Sequence, residues 1–129
     1  MPGSMDCMTV PQEEFEKIIA GAIDAIPENY YQRIKNVVFV AEDEPSQEQR
    51  KKLKLHCNQS LFGLYEGIPL TKRTSGYNLV LPDKITIFKF PIEHAANTLE
   101  ELVNQVHKTV WHEVAHYFGL DHDMIHARE

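Results

Sequence analysis

The sequence predicts an α+β fold in which a small mixed sheet packs against helices and the last long helix carries the chemistry. Three observations predict it. Amphipathic stretches with apolar residues three and four apart begin after Pro11 and after Thr98. Between them lie short β-branched or alternating runs, Asn36–Val40 and Lys84–Phe90. Gly67, Pro69, Gly76 and Pro91 punctuate the rest, leaving no repeat and no linker that would divide the chain. At 129 residues one core is the expectation, with residues 5–129 as a single domain and Met1–Ser4 reading as a cloning remnant.

The elements follow in order. Pro11, then Glu13 and Glu14, then Phe15, Ile18, Ile19, Ala22 and Ile23 read as a helix with proline at its start and acids in its first turn, ending near Pro27. A short helical piece is expected over Tyr30–Ile34, then a buried strand over Asn36–Val40. Pro45 and Ser46 start a charged helix through about Leu55. Leu61–Tyr65 and Tyr77–Leu81 are short extended candidates. Lys84–Phe90 alternates, with Ile85 and Ile87 on one face and Lys84, Thr86 and Phe88 on the other, until Pro91 stops it. Leu99, Leu102, Val103, Val106, Val110 and Val114 then mark a long helix up to Gly119, with Thr98 and Glu101 in a capping box.

Composition sets limits on partners. Thirteen Lys and Arg against nineteen Asp and Glu give a net charge of -6, a field that repels phosphate backbones and anionic membranes. No nucleic acid and no membrane partner is therefore expected. The acidic start lacks a secretory signal, and runs such as Val37–Ala41 are too short to span a bilayer, so the expected location is cytoplasmic. Cys7 and Cys57 stand at no metal-like spacing and read as free thiols of a reducing compartment.

The chemistry concentrates in His112-Glu113-x-x-His116-x-x-Gly119-x-x-His122. Helix positions four apart share a face, so His112 and His116 can aim two imidazoles at one ion. Gly119 is placed to adopt positive φ and turn the chain, which brings His122 back to the same point. Three neutral imidazoles suit Zn²⁺ and leave a fourth position open, as a catalytic rather than a structural zinc requires. Glu113, beside His112, is placed to take a proton from a metal-activated water and return it to a leaving amine. His56, His94 and His107 have no partners at metal spacing, while His126 and the flanking Asp121 and Asp123 are candidates for supporting the site around His122.

This motif resembles the HExxHxxGxxH signature of metzincin-type metallopeptidases. More widely, the chain looks like the small bacterial zincin-like metallopeptidase family. The resemblance runs through Asn36-Val37-Val38 with its following acids and Pro45, through Leu61–Leu70, through Leu81–Phe88 and into the motif helix. It implies a minimal zincin fold and a zinc metallopeptidase that hydrolyses peptide bonds. It also implies that the strand before the motif helix, Ile85–Phe90, forms the rim of the cleft and pairs with an extended peptide. The seven residues after His122 leave no room for the Met-turn and C-terminal subdomain of true metzincins. Tyr117, Arg73 and Tyr77 are the candidates for stabilising an oxyanion. Two other classes stand beside it: three-histidine metal-dependent endoribonucleases, which share the ligand spacing but have Gly where this chain has Glu113, and a zinc-binding regulatory protein without catalysis, which the incomplete cleft would suit.

Overall fold

Residues 8–52, 61–68 and 82–120 are described by the computed structural model of the chain. They form helix α1 (Gln12–Asp24), a single turn α2 (Glu28–Tyr31), strand β1 (Val37–Glu42), helix α3 (Gln47–Lys52), strands β2 (Gly63–Glu66) and β3 (Asp83–Phe88), and helices α4 (Lys89–Ala95) and α5 (Leu99–Phe118). Helices on a small mixed sheet make this the expected α+β arrangement. The candidate strand Tyr77–Leu81 lies outside the described residues, as do His56, both cysteines and everything after Leu120.

Pro11 supplies the extended N-cap of α1, where its ring fixes φ at -63° and no backbone bond of the helix needs its missing N–H. Phe15, Ile19 and Ala22 form the buried stripe of this helix. They meet Leu102, Val106, Val110 and Val114 on α5 and Ile85 and Ile87 on β3, so the core sits between the two long helices and one face of the sheet. Helix α3 begins with a reciprocal cap: the Gln49 N–H donates to Ser46 Oγ at 3.1 Å and the Ser46 N–H to Gln49 Oε1 at 2.8 Å. At the start of α5 the Glu101 N–H donates to Thr98 Oγ1 at 3.1 Å, as the capping box requires. The Glu101 carboxylate, however, accepts from the Asn97 N–H at 2.8 Å, one residue earlier than in the standard box. At the other end Gly119 takes a left-handed conformation, φ 78°, and its N–H closes the last turn on Ala115 and His116.

The sheet order is β1-β3-β2. Strand β3 runs parallel to β1 along Val37–Glu42 and antiparallel to β2 along Gly63–Glu66. The docking strand expected from the resemblance, Ile85–Phe90, begins within β3. Ile85–Phe88 lies in the centre of the sheet with a neighbour on each side, so its backbone has no edge for a peptide to join. Among the described residues, the strand next to the motif helix with an outer edge is β2. The structure corrects the expectation for Pro91. It does not end a strand at Phe90; it sits inside the first turn of α4, where a proline lacks no hydrogen bond that the helix would otherwise make. The turn is held by a buried pair, Lys89 Nζ to Glu93 Oε2 at 2.9 Å, and the same carboxylate oxygen accepts from the Val10 N–H at 2.9 Å.

Strand β2 reaches α5 only because residue 63 is glycine. A Cβ at Gly63 would stand 2.5 Å from Thr109 Cγ2, 3.2 Å from Glu113 Cγ and 3.2 Å from the Thr86 carbonyl oxygen. Gly63→Ala is therefore expected to lower stability by about 1 to 3 kcal/mol through overpacking, measured as a drop in denaturation midpoint. Adding Thr109→Ser removes the nearest methyl and keeps a hydroxyl for Gln105. The double variant should recover part of the loss.

Candidate metal centre and its cleft

Helix α5 is about 30 Å long by its 20 residues, and it presents one face to the core and an adjoining face to β2. Val110, Val114 and Phe118 belong to the first. Gln105, Thr109, His112, Glu113 and His116 recur at three and four spacing along the second. The back of the helix is braced by aromatic edges: the Tyr30 ring meets Trp111 at 5.2 Å and Phe118 at 5.2 Å. Rotation of the histidine pair is thus limited by packing on the opposite side.

His112 and His116 are half-buried, and their Nε2 atoms converge to 3.2 Å with the rings edge to face. Two imidazole nitrogens bound to one tetrahedral zinc at their usual bond lengths stand roughly 3.3 Å apart. The pair already has that separation, and its imidazole nitrogen donors match the ion, so these residues fit a zinc. No group of three possible ligands occurs among the described residues. The expected third donor, His122, lies outside them, together with Asp121, Asp123 and His126.

Glu113 lies between the histidines in sequence but turns toward β2. It is 7% exposed. Burial pushes its carboxyl up from 4.5 to about 7, opposed by the backbone N–H of Tyr65, which donates to it. Its neighbours explain the orientation. In the antiparallel register the Phe62 carbonyl turns inward and accepts from the Phe88 N–H at 2.8 Å, so the alternate residues Gly63 and Tyr65 turn their backbone groups outward, toward the cleft. A buried carboxyl titrating near 7 can both accept and release a proton at neutral pH. A cleft of about 310 Å³ opens beside it, with Gly63 on one wall and His112 on the other.

Other side chains have structural work. Tyr117 is buried, its hydroxyl accepting from the Lys35 N–H at 3.1 Å and donating to the Lys35 carbonyl at 3.3 Å. That arrangement removes it from the oxyanion candidates; Arg73 and Tyr77 lie outside the described residues. Tyr65 directs its own hydroxyl to Asp83 Oδ2 at 2.6 Å, which fixes the end of β2. Sequence reading missed the contributions of Gly63 and of the Tyr65 N–H. The available signal was a lone glycine within an extended run, which marks a close approach of another element.

A sheet with one edge strand laid over a helix that carries a histidine pair and a buried glutamate is the arrangement of a zincin-type metallopeptidase. The sequence model of the zincin-like metallopeptidase family matches residues 34–129, and the chain belongs to that family. Among solved structures, a conserved hypothetical protein from Thermo thermophilus is similar over 92% of this chain and 100% of its own, with a TM-score of 0.57 and 17% identity. At that identity the likeness concerns the fold. No curated protein matches the chain significantly. The family assignment supports a metal-dependent, peptidase-like function. No helix among the described residues is long and apolar enough to cross a membrane.

The raised carboxyl has a consequence for the metal-free chain. A group whose pKa rises on folding favours the folded state while protonated, below about 4.5, and loses that contribution as pH climbs through about 7. The effect approaches about 3 kcal/mol by pH 8. In urea unfolding of chelator-treated protein, Glu113→Gln is expected to gain stability relative to the parent between pH 4.5 and pH 8. A difference that stays constant over that range contradicts the buried, raised carboxyl.

Proposed function

We propose that the chain is a zinc-dependent metallopeptidase in which His112, His116 and His122 hold the metal and Glu113 is the general base. The observation that carries this reading is the converging His112–His116 pair beside a buried carboxyl tuned to about 7. Zinc, when bound there, supplies a Lewis acid for the substrate carbonyl and lowers the pKa of a water at the open position. The remaining work falls to the protein. Glu113 takes a proton from the attacking water and delivers it to the nitrogen of the departing amine, and the Tyr65 N–H keeps the carboxyl aimed during both transfers.

Peptide substrates dock on the outer edge of β2, in place of the β3 edge that the resemblance implied. Gly63 offers outward backbone groups next to Glu113, beside the Tyr65 N–H that Glu113 already engages, and an added strand there would lay its scissile carbonyl along the histidine pair.

The test is cleavage of a mixed peptide set by zinc-loaded protein. The expected result is about one zinc per chain and cuts that cease on chelation and return with zinc. Glu113→Gln should keep the metal and lose at least about a hundredfold in turnover, the lower range for removing a general base. His112→Ala or His116→Ala should lose both metal and turnover. Stoichiometric zinc without cleavage of any peptide would overturn the peptidase reading in favour of a zinc-binding protein without catalysis.

A further inference from the structure

The cleft beside Glu113 continues toward the N-terminal end of α5. Lys108 and Gln105 line that extension from the helix, facing Leu61 and Phe62 from the segment leading into β2. Lys108 is the cation among the described residues that borders the cleft, and it is exposed. Other lysines are committed elsewhere: Lys84 pairs with Glu42 at 3.4 Å and Lys89 with Glu93 at 2.9 Å. No such pair involves Lys108 among the described residues. Its polar neighbours also leave it alone, since Gln105 Nε2 donates to Thr109 Oγ1 at 3.1 Å and not to an anion.

A net charge of -6 disfavours anionic ligands over the molecule as a whole. Screening confines that field to roughly 8 Å at physiological salt, so a cation at the border of the cleft sets the local preference. Lys108 and Glu113 are five positions apart on α5, about 7.5 Å along the axis. Two residues of an extended peptide span about 6.6 Å. We propose that Lys108 recognises a carboxylate of the peptide substrate, placed about two residues from the bond that is cut. The proposal rests on the peptidase reading for its setting and makes Lys108 a specificity-determining residue. The carboxylate is either an acidic side chain or a free C-terminus, both of which present the same charge to the ammonium.

The test uses the full-length zinc-loaded chain with Lys108→Met and Lys108→Glu. Fluorogenic peptides carry Glu, Gln or Lys in turn at each position within three residues of the cleaved bond, each with a free or an amidated C-terminus. Binding of the same peptides is followed by fluorescence anisotropy in the Glu113→Gln background. The parent is expected to favour Glu over Gln at one position by roughly fivefold in kcat/KM, the upper range for an exposed ion pair. Lys108→Met should abolish that preference and Lys108→Glu should turn it toward Lys. A preference that disappears on amidation, and not on changing a side chain, assigns the carboxylate to the C-terminus. A parent indifferent to charge, or a preference that survives Lys108→Glu, overturns the proposal. Peptide binding that follows Lys108 without any cleavage by the parent upholds the recognition and overturns the peptidase reading. Cleavage with no dependence on Lys108 does the reverse.

Discussion

The contact between β2 and α5 at Gly63 governs both the site and the packing around it. There the strand backbone lies so close to the helix that no side chain fits, and the Glu113 carboxyl is sealed beneath it with the Tyr65 N–H as its partner. Burial of this kind would be unfavourable for a carboxylate in an ordinary core, because an ionised group loses its water. Here it sets the proton affinity of the group. The same contact forms one wall of the cleft and sets Gly63 across it from His112.

Everything that holds α5 in place therefore acts on the site. The apolar stripe of the helix is locked between α1 and β3, the Tyr30 ring braces Trp111 and Phe118, and Tyr117 fastens the helix to the chain before β1 through both groups of Lys35. Strand β3, flanked on both sides, is the rigid member to which β2 is attached. The division is physical. A central strand supplies position, and β2 supplies the backbone that borders the cleft.

Much of this was legible in the sequence. The caps of α5 at Thr98 and Gly119, the helical spacing of its apolar residues, and the four-residue separation of His112 and His116 are local features, and local geometry fixes them. The face assignment of Ile85 and Ile87 likewise follows from a period of two. Strand order is not local. Nothing in Lys84–Phe88 distinguishes an edge strand from a central one, because that depends on where β1 and β2 attach. The helix at Lys89–Ala95 was hidden by Pro91, which is a stop signal in the middle of an element and harmless in a first turn. The burial of Glu113 was also beyond the motif, since it comes from Gly63, fifty positions earlier in the chain.

The histidine pair is, on this reading, two thirds of a catalytic zinc site. X-ray absorption at the zinc edge of the loaded chain addresses that directly, by counting and identifying the ligands. Three imidazole nitrogens and one oxygen at about 2.0 to 2.1 Å are expected, with one imidazole fewer in His122→Ala. Sulfur ligands, or a spectrum unchanged by loss of His116, would be incompatible with such a site.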